Sequence, residues 1–179
     1  MGLEQSKLVK LNLGCGNRVY DGYVNVDKEM LPGVDLVHDL ERTPLPFSDN
    51  SVDIIRCEHV LEHVQNYLPL LEDMYRISKP CARIIVRVPY FKYEGAFRDP
   101  THVRFFTEHS FDYFSDSCNY SYYSKIRFRV KKAEKIVRFL SSIPDIKKKI
   151  IPHIPFKRVF DLFFWNVYSE IYFELEVVK

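Results

Sequence analysis

The stretch LNLGCGNRVYDGYVNVD, from Leu11 to Asp27, most narrows what this chain can fold into. An apolar run ends in Gly14-Cys15-Gly16, and a second short apolar run ends in Asp27, eleven residues after Gly16. In a parallel sheet the acid closing the second strand lies beside the loop that closes the first. A carboxylate there can accept hydrogen bonds from two neighbouring hydroxyls of a ribose, and a glycine turn lets a ligand approach the backbone closely. A dinucleotide fingerprint needs a third glycine, but position 19 is Val19, and its acid should fall about 20 residues on. No crossover helix fits between Asn17 and Gly22, so a pyrophosphate would lack the helix N-terminus it uses. The stretch points to a nucleoside without phosphates.

The rest of the first half alternates strand-like and helix-like stretches. Strands are expected at Leu8–Leu13, Tyr23–Asp27, Asp35–His38, Val52–Arg56 and Arg83–Val88. A helix is expected over Tyr67–Ser78, with Asn66 as its N-cap, Pro69 in the first turn and Lys79-Pro80 at its end. Thr107 could cap a short helix over Glu108–Phe114. Lys125–Val130 alternates like a half-exposed strand, and Tyr172–Val178 reads as the last one. Strands joined by crossover segments imply a parallel sheet with ligand-binding loops at the strands' C-terminal ends.

Composition removes several classes. At 179 residues and 46% hydrophobic content the chain suits a single domain, 1–179, with a sizeable core. No apolar run approaches the roughly 18 residues of a membrane span, and the polar MGLEQSKLVK start is unlike a secretory leader, so a cytoplasmic location is expected. Cys15, Cys57, Cys81 and Cys118 form no CxxC pair or zinc-spaced cluster and read as reduced thiols. The net charge of +2 divides into −5 over residues 1–120 and +7 over residues 121–179. Segment 139–170, rich in Pro, Lys and aromatics, reads as an insertion or lid before the final strand. Within Ile143–Trp165, basic residues interleave with Phe, Ile and Trp, which suits a lid, a peripheral membrane contact or, less well, nucleic acid.

Six pieces in order carry a family resemblance: LNLGCG (11–16), YVNVD (23–27), HDLE (38–41), PLPFSDNSVDII (44–55), EHVLEHV (58–64) and RISKPCARIIVRVPYF (76–91). The chain resembles the class I S-adenosylmethionine-dependent methyltransferases, in their small type 11 branch. The resemblance implies an α/β, Rossmann-like, seven-stranded, mostly parallel sheet with an antiparallel last strand. It also implies that Gly14, Cys15 and Gly16 pass under the methionine part of S-adenosylmethionine and that Asp27 holds the ribose hydroxyls. Asp39 and Leu40 would sit near the adenine, and Glu58 and His59 near the methionine moiety and the methyl group.

Two polar clusters remain. His59-Val60-Leu61-Glu62-His63 has the form of an HxxEH metal pattern, but that pattern belongs on a long helix with a further ligand. Here it follows a strand, so Glu62 and His63 are read as fixing the loop, with no metal expected. RDPTHVRFFT, Arg98 to Thr107, follows the fifth strand. It is either a capped turn or a substrate-facing loop, with His102 as general base and Asp99 and Arg104 on the acceptor. His102, then His59, are the candidate bases for a hydroxyl acceptor. Similar D-P-x-H-x-R segments occur in methyltransferase-like proteins linked to surface-polysaccharide genes, which suggests O-methylation of a sugar hydroxyl on a small-molecule or glycan acceptor. The alternatives are methylation of nucleic acid or protein, and a non-catalytic binding or scaffold protein that kept the pocket.

Overall fold

The structure is a computed structural model that describes residues 8–115, 118, 123–137 and 157–179. The strands are β1 (Lys10–Leu13), β2 (Val24–Asp27), β3 (Leu36–Val37), β4 (Val52–Glu58), β5 (Ser78–Pro89), β6 (Phe128–Ile136) and β7 (Glu170–Val177). They form one sheet in the order β3-β2-β1-β4-β5-β7-β6. Strands β1 to β5 pair in parallel, and β7 runs antiparallel to both β5 and β6. This is the expected class I methyltransferase topology. The order reverses at β1, next to β4, so the loops after β1, β2 and β4 open into one crevice at the strands' C-terminal edge.

Helix α1 (Tyr67–Ile77) presents Leu70, Leu71, Met74 and Ile77 to the core, a spacing that fits one face of a 3.6-residue period. Leu11, Leu13, Ile55, Cys57, Ile84, Val86, Phe173 and Leu175 fill the sheet with essentially no exposure. The helix ends at Ile77, and the chain passes straight into β5 through Ser78, which is extended and whose hydroxyl donates to the Met74 carbonyl at 2.7 Å. β5 therefore starts before Lys79-Pro80, which is part of the strand. Asn66 makes no side-chain cap. The carboxylate of Glu41, in the loop after β3, instead accepts from the Gln65 and Asn66 N–H groups at 2.7 and 2.9 Å.

The β3–β4 connection is pinned to α1 by a second acid. Asp73, 7% exposed, accepts from the Leu45 N–H at 2.6 Å and from Arg76 Nε at 2.5 Å. Arg76 in turn donates to the Leu45 and Phe47 carbonyls at 3.0 and 2.9 Å. A loop rich in unpaired backbone groups is thus held in place without a ladder of its own.

The tail departs from the sequence reading in position rather than kind. β6 begins at Phe128 and runs to Ile136, through Lys131, Lys132, Glu134 and Lys135. It is the edge strand, where charged side chains are common, and its register comes from pairing with β7. The expected helix over Glu108–Phe114 is shorter: a turn in which the Thr107 hydroxyl accepts from the His109 N–H, followed by a 3₁₀ turn at Asp112–Phe114. Short helices α2 (Gly95–Arg98) and α3 (Lys157–Phe163) complete the described elements. The expectation of an insertion over 139–170 falls largely on residues 138–156, outside the described residues.

Candidate functional site

β1 ends in the glycine turn. Gly14 has φ +65°, and a Cβ built on it would lie 2.4 Å from Val60 Cγ2. The residue there must be glycine because the backbone is left-handed and because Val60 packs against it. The close approach is therefore to the loop after β4, not first to a ligand. Gly16, φ +50°, has nothing among the described residues within 4 Å of where a Cβ would lie. Its N–H donates to Asp27 Oδ2 at 2.7 Å, while Asp27 Oδ1 accepts from the Glu29 N–H at 3.1 Å. Each carboxylate oxygen keeps a further lone pair for a ligand hydroxyl.

A cleft of about 380 Å³ lies over these groups, lined among others by Gly14, Asp27, Asp39, Leu40, His59 and Val60. That volume is within the roughly 300–1,000 Å³ of small-molecule sites. Asp39 is held by accepting from the Glu41 N–H at 3.0 Å. His59 closes β4 in a left-handed conformation, φ +57°, with its N–H donating to the Arg87 carbonyl at 2.8 Å. A branch-free β-strand residue does not adopt that geometry without cost. It turns the chain sharply, so that the His59 ring lines the cleft.

A second cleft, about 530 Å³, adjoins the first and shares His59 and His63 with it. Glu62, Tyr93, Arg98, Asp99, His102 and Glu170 also line it. His59 Nδ1 is 3.3 Å from Glu62 Oε1, and its Nε2 is 3.6 Å from Glu170 Oε1, so each ring nitrogen faces a carboxylate. His102 Nδ1 is 2.8 Å from the Ala96 carbonyl, which can only accept. Nδ1 therefore carries a proton, and in the neutral ring Nε2 holds the lone pair. The Thr101 hydroxyl and N–H both donate to Asp99 Oδ1, at 2.6 and 2.9 Å, and hold the Asp99 carboxyl below the usual carboxylate range.

Three sequence-selected residues stand elsewhere. Cys15 is buried at 4% exposure, its N–H donating to the Val26 carbonyl; it lines neither cleft, and burial, with Asp27 nearby, pushes its thiol up. Glu58 sits with Arg56, Arg18 and Arg87, the last two at 3.8 and 4.0 Å, and also lines neither cleft. Arg104 lies over the Tyr67 ring at 4.3 Å, not in the acceptor cleft. Sequence reasoning passed over Glu170, which opens β7, and gave His63 and Glu62 only a loop-fixing role. Glu170 carried no local motif, while the EHVLEHV piece did signal the other two.

Residues 20–86 match the family model of a methyltransferase domain. A demethylmenaquinone methyltransferase from Bacillus cereus is 33% identical over 82 residues, 46% of this chain and 34% of that enzyme. The stretches matched in it and in a demethylmenaquinone methyltransferase from Geobacillus span about a third or less of those proteins. A solved S-adenosylmethionine-dependent methyltransferase from Archaeoglobus fulgidus superposes over 96% of this chain and 86% of its own, with a TM-score of 0.63 at 14% identity. The [4+2]-cyclase SpnF superposes over 96% of this chain and 75% of its own, with a TM-score of 0.60 at 12% identity. The matched segment is similar to a methyltransferase domain, and the sheet order is that of the class I S-adenosylmethionine-dependent methyltransferase fold. The residues present fit that cofactor: open space over Gly16, a carboxylate with spare lone pairs at Asp27, and Asp39 with Leu40 across the cleft.

Proposed function

We propose that this chain transfers the methyl group of S-adenosylmethionine to a hydroxyl of a small-molecule or glycan acceptor, a sugar hydroxyl foremost. The observation that carries the reading is that the cleft over Gly14, Asp27 and Asp39 meets a second, polar cleft at His59 and His63. The cofactor supplies an activated methyl on a sulfonium, so the protein has mainly to align the acceptor oxygen at about 3 Å and take its proton. Asp27 accepts the ribose hydroxyls. His102 Nε2, with Nδ1–H fixed on the Ala96 carbonyl, is oriented to accept the hydroxyl proton. Arg98, Asp99 and Glu170 offer the donors and acceptors that a hydroxyl-rich acceptor requires.

The demethylmenaquinone methyltransferases favour a different acceptor, a quinone ring, but the second cleft here is lined mainly by ionisable side chains. The test is incubation with labelled S-adenosylmethionine and a panel of sugar nucleotides, oligosaccharides and quinones, read by mass spectrometry. Methylation of a sugar acceptor, lost in His102→Ala while S-adenosylhomocysteine still binds, is expected. Transfer only to quinones, or none to any acceptor despite cofactor binding, would overturn the reading.

A peripheral membrane contact through 143–165 belongs to the same proposal. Among the described residues no helix is long and apolar enough to cross a membrane. Leu162, Phe163, Phe164 and Trp165 are nonetheless 71, 74, 55 and 56% exposed. Flotation with anionic vesicles at low salt should carry the full chain upward; a chain left at the bottom of the gradient refutes the contact.

A further inference from the structure

We propose that Glu62, His63 and His102 hold a divalent transition-metal ion at the junction of the two clefts. One ligand atom from each lies within 4.8 Å of the others. The set is not the His59/His63 pair that the HxxEH spacing suggests. It joins the loop after β4 to the loop after β5.

Three independent features point to an ion. First, Glu62 is 1% exposed, and its Oε2 has no hydrogen-bond partner among the described residues, while Oε1 faces His59. A buried carboxylate oxygen without a donor is costly, and a cation is the partner that most fully offsets that cost. Second, each histidine has one ring nitrogen engaged as a hydrogen-bond donor, which leaves the other free to bind an ion. The single proton of the Thr101 hydroxyl goes to Asp99, so Thr101 Oγ1 accepts from His63 Nδ1–H at 2.8 Å. The Ala96 carbonyl accepts from His102 Nδ1–H. In both neutral rings the lone pair is on Nε2. Such outer hydrogen bonds, donated by the far ring N–H to a carbonyl or to a carboxylate-linked hydroxyl, are what orients metal-bound imidazoles. Third, the two rings already meet edge to face, with centroids 4.7 Å apart, and both border the acceptor cleft.

Two imidazoles and one carboxylate make the donor set of zinc and of other late first-row divalent ions. Bonds of about 2.1 Å to a tetrahedral ion set two ligand atoms roughly 3.4 Å apart, so the side chains would close by up to about 1.4 Å on binding. Three protein ligands leave a position open toward the cleft, as catalytic rather than structural sites do. On the methyltransferase reading above, that position receives the acceptor oxygen. The ion would then polarise that oxygen, and, with His102 Nε2 spent on the ion, the hydroxyl proton would pass to His59, which lines the same cleft.

The test is titration of the untagged full chain, stripped with chelator, with Co²⁺ and Zn²⁺. Calorimetry and the visible d–d absorption of a four- or five-coordinate Co²⁺ complex are the readouts. One equivalent is expected, with Zn²⁺ displacing Co²⁺. Glu62→Gln, His63→Ala and His102→Ala should each weaken binding by more than 100-fold. Thr101→Val should weaken it 10–100-fold, as loss of an outer-shell partner does. His109→Ala, whose ring pairs with Asp112 at the surface, should leave it unchanged. No stoichiometric Co²⁺ complex, or one that survives both Glu62→Gln and His102→Ala, overturns the proposal. S-adenosylhomocysteine is titrated alongside without metal. Binding of it but not of Co²⁺ rejects the ion and leaves the methyltransferase reading standing; the reverse does the opposite.

Discussion

Gly14→Ala should be far more disruptive than Gly16→Ala, although both glycines sit in the same turn with φ above zero. An alanine at either position takes the left-handed conformation at a cost of about 1–2 kcal/mol. At Gly16 that is the whole effect, because a Cβ meets nothing within 4 Å among the described residues. At Gly14 the new methyl would lie 2.4, 3.1 and 3.3 Å from Val60 Cγ2, Cγ1 and Cβ. Val60 is 9% exposed and packed into the core, so it cannot swing freely aside. Overpacking of this kind adds about 1–3 kcal/mol. The total for Gly14→Ala is about 2–5 kcal/mol, a fall in Tm of roughly 4–20 °C for a domain of this size. The assay is urea unfolding followed by circular dichroism on Gly14→Ala, Gly16→Ala, Val60→Ala and the Gly14→Ala/Val60→Ala double variant. The double variant should be less damaged than the sum of its singles by about 1–3 kcal/mol, since truncating Val60 removes the overlap but not the strain. Equal losses at Gly14 and Gly16, or additive behaviour of the Gly14–Val60 pair, would refute the packing argument and return the demand for glycine to backbone conformation or ligand approach alone.

Asp27→Asn keeps the side chain's shape but removes charge-assisted acceptance from the Gly16 N–H. At about 1.5–3 kcal/mol per lost charged hydrogen bond, S-adenosylhomocysteine should bind at least 10-fold more weakly by calorimetry, and unaltered affinity would remove Asp27 from the site. Asp73→Ala leaves the Leu45 N–H without its buried acceptor and Arg76 without its closest carboxylate. Arg76 is half-buried and keeps Asp49, so the cost is mainly the unpaired Leu45 N–H and the lost charged hydrogen bond, about 1–3 kcal/mol; no loss in urea unfolding would contradict the pinning role. Burial, together with its hydrogen bond to the Asp161 carboxylate, pushes the Tyr90 phenol up to about 12. A raised native pKa means stability is intact below the ordinary tyrosine value and declines as pH rises from about 10 toward about 12. Tyr90→Phe should lack that portion of the alkaline decline, and identical unfolding profiles across that window would exclude it.

How much was readable in advance follows from the range of the interactions involved. The strand series, the glycine turn and Asp27 at the end of β2 depend on alternation, turn residues and chain order, all of which one sequence carries. From them came a parallel sheet and the turn over Gly14 and Asp27; the seven strands and the placing of Asp39 and Leu40 came from the family resemblance that the ordered pieces carry. β6 was misplaced by several residues because Lys131–Lys135 has little apolar alternation; pairing with β7, not local preference, defines that edge. Asn66 was a sound N-cap by residue type, yet the acid that meets the helix start is Glu41, 25 residues away.

The sequence by itself determined the fold class and the kind of small molecule its first cleft suits. A parallel sheet places the ends of successive strands together whatever the loops do, so motifs at those ends assemble from their order alone. Only the tertiary structure decided that Gly14 answers to Val60, that Glu58 and Arg104 are engaged away from the clefts, and that His63 meets His102 across an edge-to-face ring contact. These outcomes depend on which side chains two distant loops turn toward each other. The left-handed bend at His59 and the Thr101–Asp99 and Ala96 hydrogen bonds set those directions, and no local periodicity encodes them.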